Sequence, residues 1–317
     1  MENNKAKKRK KRKTRKKGGS WFIILIIVLL VLGGLGVMLY PTICDLYYKY
    51  QAQQEVDAYE KSIMAEQMDY SALWEAADEY NCTLLTKPNQ LTAGDEETRL
   101  VHGLLNPLGN GMMGYVSIPS INVRLPIYQG INEENLQSGG GFWIGSSLPT
   151  GSEGTHSIIT AHTGLVKAKF FTDIEKLVIG DSFSIRILDR EFFYEVDQIK
   201  VVEPNELDDL LVTESDVFTT LYTCTPYGIN THRLLVRGRL VDMKQDMLTE
   251  QPGGRGGASD ELIVGIENKY LILIAVSALA LIIIIIIIII IVKKHRKRKL
   301  KRAVTPKASS YPINNIE

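Results

Sequence analysis

A thiol, an imidazole and a guanidinium occupy positions in this chain that suit acyl transfer through a thioester. Cys224 closes the strand-like run Thr220-Leu221-Tyr222-Thr223-Cys224, and Arg233 stands nine positions later at the start of another. His162 lies upstream, in Ile158-Ile159-Thr160-Ala161-His162-Thr163-Gly164. A cysteine nucleophile needs an ionised sulfur, a proton donor for the leaving amine and positive charge near the oxyanion. Cys224, His162 and Arg233 could supply these in that order. With unperturbed pKa values, about 3% of such thiols are ionised at pH 7 and about a quarter of imidazoles are protonated. Independent titration then gives about one per cent competent pairs, a fraction that coupling between the groups would raise.

Each residue also has a plainer role open to it. A lone Cys in a strand is often a small buried hydrophobe. His162 could be a loop histidine that satisfies the backbone, and Arg233 a surface cation. His232 competes with His162 as the partner of the thiol. Adjacent strand residues point to opposite faces, so His232 and Arg233 cannot both face the sulfur, and Arg233 is the one expected to. Cys224, His232 and His162 are also conceivable zinc ligands, but there is no CxxC and no paired-histidine spacing.

The elements that must position these groups show a change of period. Residues 45–81 lack Gly and Pro, and Val56, Tyr59, Ile63, Met64 and Met68 recur at helical spacing, which predicts one or two amphipathic helices. A looser stretch follows at 83–97. From Gly114 the period becomes two. Strands are expected at 115–119, 122–127, 157–160, 183–188, 192–196, 199–202, 218–223 and 234–240, with short helices at 170–177 and 206–212. About eight short strands with Gly, Asp and Pro turns predict a mainly β domain, a closed barrel or sandwich. The turn Pro226-Tyr227-Gly228 would make the Cys and Arg strands neighbours in a hairpin.

Two stretches are too apolar for a soluble protein, 21–40 and 270–292. At ~1.5 Å rise per residue each covers roughly 30 Å as a helix, enough to cross a bilayer. The first exceeds the usual signal-peptide core and lacks a small-x-small cleavage pattern before Pro41, so it reads as an uncleaved anchor. Eleven Lys and Arg lie in residues 5–17 and nine follow Val292. Residues 41–269 hold 17 basic and 34 acidic residues, a balance of −17. Basic flanks stay cytoplasmic, so both termini are expected inside and the acidic middle outside. Beside a span, the basic run is a topology signal and lipid contact rather than a nucleic-acid site. The expected organisation is therefore a basic tail (1–20), a span (21–40), a helical stalk with a candidate lid region (41–100), a catalytic β domain (101–243), a flexible tether (244–269), a second span (270–292) and a second basic tail (293–317). Of three cysteines, Cys44 and Cys82 are expected too far apart to bridge.

At these residues the chain resembles the sortases, specifically the class C, pilin-polymerising group. Thr220-Leu221-Tyr222-Thr223-Cys224 is similar to the family's TLxTC signature, and Cys224-Thr225-Pro226-Tyr227-Gly228-Ile229-Asn230-Thr231-His232-Arg233-Leu234 to its class C form. Gly114-Tyr115-Val116-Ser117-Ile118-Pro119, Leu125-Pro126-Ile127-Tyr128 and Gly154-Thr155-His156-Ser157-Ile158-Ile159-Thr160-Ala161-His162 resemble the preceding barrel strands. The resemblance spans roughly residues 80–242. It implies an eight-stranded sortase-type barrel with catalytic Cys224, His162 and Arg233. It also implies cleavage of an LPXTG-like sorting signal between Thr and Gly, and transfer of the thioester to a lysine amine of a pilin subunit, with no cofactor. Attachment of surface proteins to a cell-wall precursor is the related alternative, and a non-enzymatic pilus-assembly scaffold the unrelated one. Two departures stand out. Residues 83–100 lack the Asp-Pro-aromatic triplet of a class C lid, so a lid is either absent or built from other residues. Gly140-Gly141-Phe142-Trp143 stands where many relatives have Gly-His, which would alter the rim of the groove.

Overall fold

The computed structural model describes residues 19–66, 68–165, 167–213 and 215–245, together with Ile290 and Lys293. It divides into two units, Gly36–Pro252 and the joined terminal segments Met1–Leu35 and Gly253–Glu317. The expected tether, second span, C-terminal tail and most of the N-terminal tail lie outside the described residues.

Helix α1 runs Gly19–Glu66 and contains Pro41. The stretch Leu25–Ala65 holds an 18-residue window of mean hydropathy 2.3, long and apolar enough to cross a membrane and not buried. Helix α2 spans Ser71–Leu84 and α3 spans Asp95–Gly103. The strands are β1 (Met112–Ile118), β2 (Val123–Gln129), β3 (Gly140–Phe142), β4 (Thr155–Thr160), β5 (Ser182–Ile187), β6 (Arg190–Val202), β7 (Val217–Thr225) and β8 (His232–Gln245). A short helix α4, Glu133–Ser138, lies between β2 and β3. The strands close into a barrel in the order β1-β2-β3-β4-β7-β8-β6-β5.

The strand total matches the expectation, but the membership differs. Two expected strands, 192–196 and 199–202, are one continuous β6 whose register shifts between Val196 and Gln198. The polar pair Asp197-Gln198 is a bulge, not a turn, because β8 pairs with both sides of it. The strand that was missed is β3, whose two glycines argue against β structure. It forms because Gly140–Phe142 is held between parallel β2 and antiparallel β4. The expected helices at 170–177 and 206–212 are 3₁₀ turns, Thr172–Lys176 and Asp208–Leu210.

Alternation along β7 separates two apolar regions. Leu221 faces inward with Ile159, Leu234 and Val236. Thr219 is also inward and fully buried, beside Tyr194, which stacks on Phe183 at 5.2 Å. Gly238 lies against this pair. A Cβ there would fall 2.5 Å from Phe183 and 2.8 Å from Tyr194, so only glycine lets β8 approach. Tyr222 faces the opposite way, into a smaller cluster with Ile158, Val202, Leu210 and Leu235. That cluster lies on the outer face of β4, β7 and β8.

The amphipathic part of α1 packs on the other side of the barrel. The Tyr59 hydroxyl donates to the Met113 carbonyl at 2.7 Å and accepts from the Leu188 amide at 2.9 Å. From α2, Trp74 Nε1 donates to Asp189 at 2.9 Å, and Asn81 exchanges two hydrogen bonds with the Leu148 backbone. These bonds satisfy polar atoms that burial would otherwise strand.

Candidate active site

Three adjacent strands bring the three candidate residues to one edge of the outer face. Cys224 and Arg233 are direct cross-strand partners in the antiparallel β7–β8 ladder, so their side chains leave the sheet on the same side. His162 follows the end of β4, which pairs in parallel with β7 through Thr160 and Tyr222. The Ala161 amide donates to the Tyr222 carbonyl at 3.2 Å, and the Thr223 hydroxyl donates to the Ala161 carbonyl at 2.7 Å. These two bonds carry the register one step past β4 and bring His162 level with Cys224. All three side chains are partly buried. Cys44, Cys82 and Cys224 are free thiols.

The surrounding loops hold this edge in place. The His162 carbonyl accepts from the Phe171 amide, and the Gly164 amide donates to Thr172 Oγ1 at 3.2 Å. Gly164, at φ +75°, abuts Tyr227 and Gly228, so the loops after β4 and β7 touch. The guanidinium of Arg233 donates through Nη1 to the Asn230 and His232 carbonyls at 3.1 and 3.0 Å. Burial raises the pKa of the Tyr222 phenol, and the nearby charge of Arg233 partly offsets that rise. His232 pairs with Thr225, not Cys224, and its Nε2 lies 3.2 Å from Glu203. It therefore does not share the thiol's setting.

Behind the thiol lies the smaller apolar cluster of the outer face. Trp143 meets Tyr222 edge to face at 5.4 Å and donates through Nε1 to the Leu91 carbonyl at 3.1 Å. Leu91 packs on the same cluster, and Gln90 accepts from the Val212 amide at 2.8 Å. The chain between α2 and α3 thus covers part of this cluster through Leu91, where the sequence offered no Asp-Pro-aromatic triplet. Trp143 stood out only as a departure at the rim; here it joins the cover to the floor.

His156 is a second histidine of the outer face that sequence reasoning passed over. It is 2% exposed, and its Nδ1 donates to the Leu211 carbonyl at 3.2 Å. Nε2 therefore accepts, from Thr220 Oγ1 at 2.8 Å. Burial holds its pKa at about 4, so the ring is neutral and staples the β6–β7 loop to the outer face of β4 and β7. The available signal was parity: residues 156, 158, 160 and 162 share one side of β4. Glu133 was missed as well. It lies on α4, with Oε2 3.6 Å from His162 Nε2.

A model of the sortase domain matches residues 116–241, which include all three candidate residues. Among curated proteins, sortase A of Bacillus anthracis is 29% identical over 133 residues, 42% of this chain and 61% of that protein. Sortase D of Bacillus subtilis is 27% identical over 131 residues, 40% of this chain and 63% of that protein. The match thus spans about three fifths of the length of these curated relatives. Among solved structures, sortase C1 of Streptococcus agalactiae is 40% identical with a TM-score of 0.57, covering 60% of this chain and 98% of that one. Sortase C of Streptococcus pneumoniae, whose structure was described for catalysis and pilin substrate specificity, is 36% identical with a TM-score of 0.52, covering 61% and 99%.

Proposed function

This chain belongs to the sortase family, with class C sortases as its structural relatives, and from that premise we propose that it is a membrane-anchored cysteine transpeptidase that polymerises pilins. The observation that carries the reading is the ladder register, with Cys224 opposite Arg233 and His162 two residues past the end of the neighbouring β4.

In this reading an LPXTG-like sorting signal lies along the outer face of β4, β7 and β8, with its scissile bond at Cys224. The Cys224 thiolate attacks the carbonyl carbon of the Thr–Gly bond, and the electron pair of the C=O moves to oxygen. Arg233 faces that oxyanion with a cation that does not deprotonate. Collapse of the tetrahedral intermediate breaks the C–N bond, and His162 gives its proton to the departing amine. A lysine amine of the next pilin subunit then attacks the thioester. It loses its proton to His162, expels the Cys224 thiolate and leaves an isopeptide bond. The α1 apolar window anchors the enzyme, and residues 270–292 form a second span. Both basic termini are then cytoplasmic and the barrel is outside.

The test is Cys224→Ala in full-length chain, in cells that lack other sortases. The expected result is loss of the high-molecular-weight pilin ladder with unchanged circular dichroism and melting. Normal ladders from that variant would end the reading. Pilin monomers fixed to the wall, with no ladder from the wild type, would turn it toward surface-protein attachment.

A further inference from the structure

The best-defined feature of the site outside the three candidate residues is a carboxylate aimed at the imidazole. His162 Nε2 is buried and has no hydrogen-bond partner. Glu133 Oε2 lies 3.6 Å from it, too far for a hydrogen bond but close enough for direct charge attraction. Glu133 itself is well held. Asn132 caps α4 by accepting from the Asn135 amide, and Gln137, one turn on, donates to the other Glu133 oxygen. That bond, and then the charges of His162 and Lys167, hold the carboxyl below its ordinary pKa. It is therefore an anion throughout the neutral range.

We propose that Glu133 is a positioning residue for His162, whose carboxylate fixes the ring by Nε2 and favours its protonated form, leaving Nδ1 for the substrate amine. The proposal rests on the thioester reading above, because it concerns the thiolate–imidazolium pair. The other charged or titratable groups around the ring do not duplicate this role. Lys167, on the loop after β4, and Arg233, on β8, are cations that oppose protonation. Tyr222 and Cys224 face it from β7. Asp173, in the 3₁₀ turn, is engaged by Lys169 and Lys176.

A carboxylate that stabilises imidazolium leaves a specific mark on the pH profile. Where the thiol pKa lies above the imidazole pKa, the competent fraction near neutrality rises with the imidazole pKa. Well below both pKa values it depends on the thiol alone. Glu133→Gln keeps the shape and removes the charge. Because water screens the Glu133 side of the pair, the expected effect of losing the charge is about 0.5 pH unit in the measured midpoint, or about threefold in kcat/KM.

Two measurements on the full chain in detergent micelles test this. The first is the NMR titration of ¹³C-labelled histidines, with His162 assigned by His162→Gln. The second is kcat/KM against pH with an internally quenched peptide carrying an LPXTG sequence. The expected result is a His162 midpoint lower by about 0.5 pH unit in Glu133→Gln and largely recovered in Glu133→Asp. Cleavage should be about threefold slower near neutrality and converge with wild type by about pH 5. An unchanged midpoint overturns the proposal. So does a cleavage loss that stays parallel at all pH values, which is the mark of a merely structural effect. If the wild type cleaves no such peptide, the transpeptidase reading fails, and the NMR midpoint alone still decides for or against the Glu133–His162 coupling.

Discussion

Replacing His156 by Gln should remove much of the difference in acid sensitivity that this one side chain gives the fold. The ring is 2% exposed and bonded at both nitrogens, and burial lowers its pKa from 6.5 to about 4. The folded state needs the neutral form, so the unfolded chain takes up the proton first. The stability due to the neutral ring is complete above about pH 6.5 and is lost as pH falls through the folded value near 4. A gap of about 2.5 pH units at about 1.4 kcal/mol each makes the full loss about 3.5 kcal/mol, of which about 3 kcal/mol is reached by pH 4. For a domain of this size that corresponds to roughly 6–12 °C in melting temperature. The assay is thermal unfolding of the full chain and of His156→Gln at a series of pH values from 7.5 down to 4. Carboxylates titrate in both proteins, so the wild-type-minus-variant difference isolates the histidine. That difference should fall toward or below zero as the solution is acidified. Two melting temperatures that decline in parallel across the range would refute the reasoning.

Arg233→Lys should lower kcat/KM by about a hundredfold with little change in melting, since a point charge replaces a planar fork that two loop carbonyls now orient; peptide cleavage and a thermal melt check it. Trp143→Ala deletes the ring contact with Tyr222 and the bond to Leu91, and should destabilise by about 2 kcal/mol. Residues 85–94 should then be cut sooner in limited proteolysis. Gly238→Ala should cost about 2–3 kcal/mol by forcing Phe183 and Tyr194 apart, seen as a lower denaturant midpoint.

Much of the site was legible because strand periodicity survives in the sequence. The Thr220–Cys224 run and the short turn before Arg233 fixed a hairpin, and the hairpin paired the two residues. Alternation allowed only one of His232 and Arg233 to face the thiol; Arg233 was the one expected, and it is Arg233 that stands opposite Cys224 while His232 stands opposite Thr225. What could not be read depends on long-range pairing. β3 has strand geometry because of the strands on either side, not because of Gly140 and Gly141. Asp197 looked like a break between strands, yet Arg237 of β8 holds it with two bonds, at 3.0 and 2.8 Å. Leu91 and Glu133 meet the site across 52 and 29 residues of chain respectively, through Trp143 and His162. No local motif encodes either contact.

The inward threonines of β7 bear on more than packing. Thr219 and Thr223 flank Leu221 on the inside, while Thr220 and Cys224 lie outside. Were β7 to slip by one residue during assembly, a hydroxyl would occupy the nucleophile's place and the sulfur would turn inward. The Thr223 bond to Ala161 and the contact between Thr219 and Tyr194 both fail in that arrangement, as does the seat of Leu221. A misaligned molecule would therefore lose the Cys224–Arg233 pairing and its inner packing together, so the same few side chains that aim the thiol also penalise any copy in which it is misplaced.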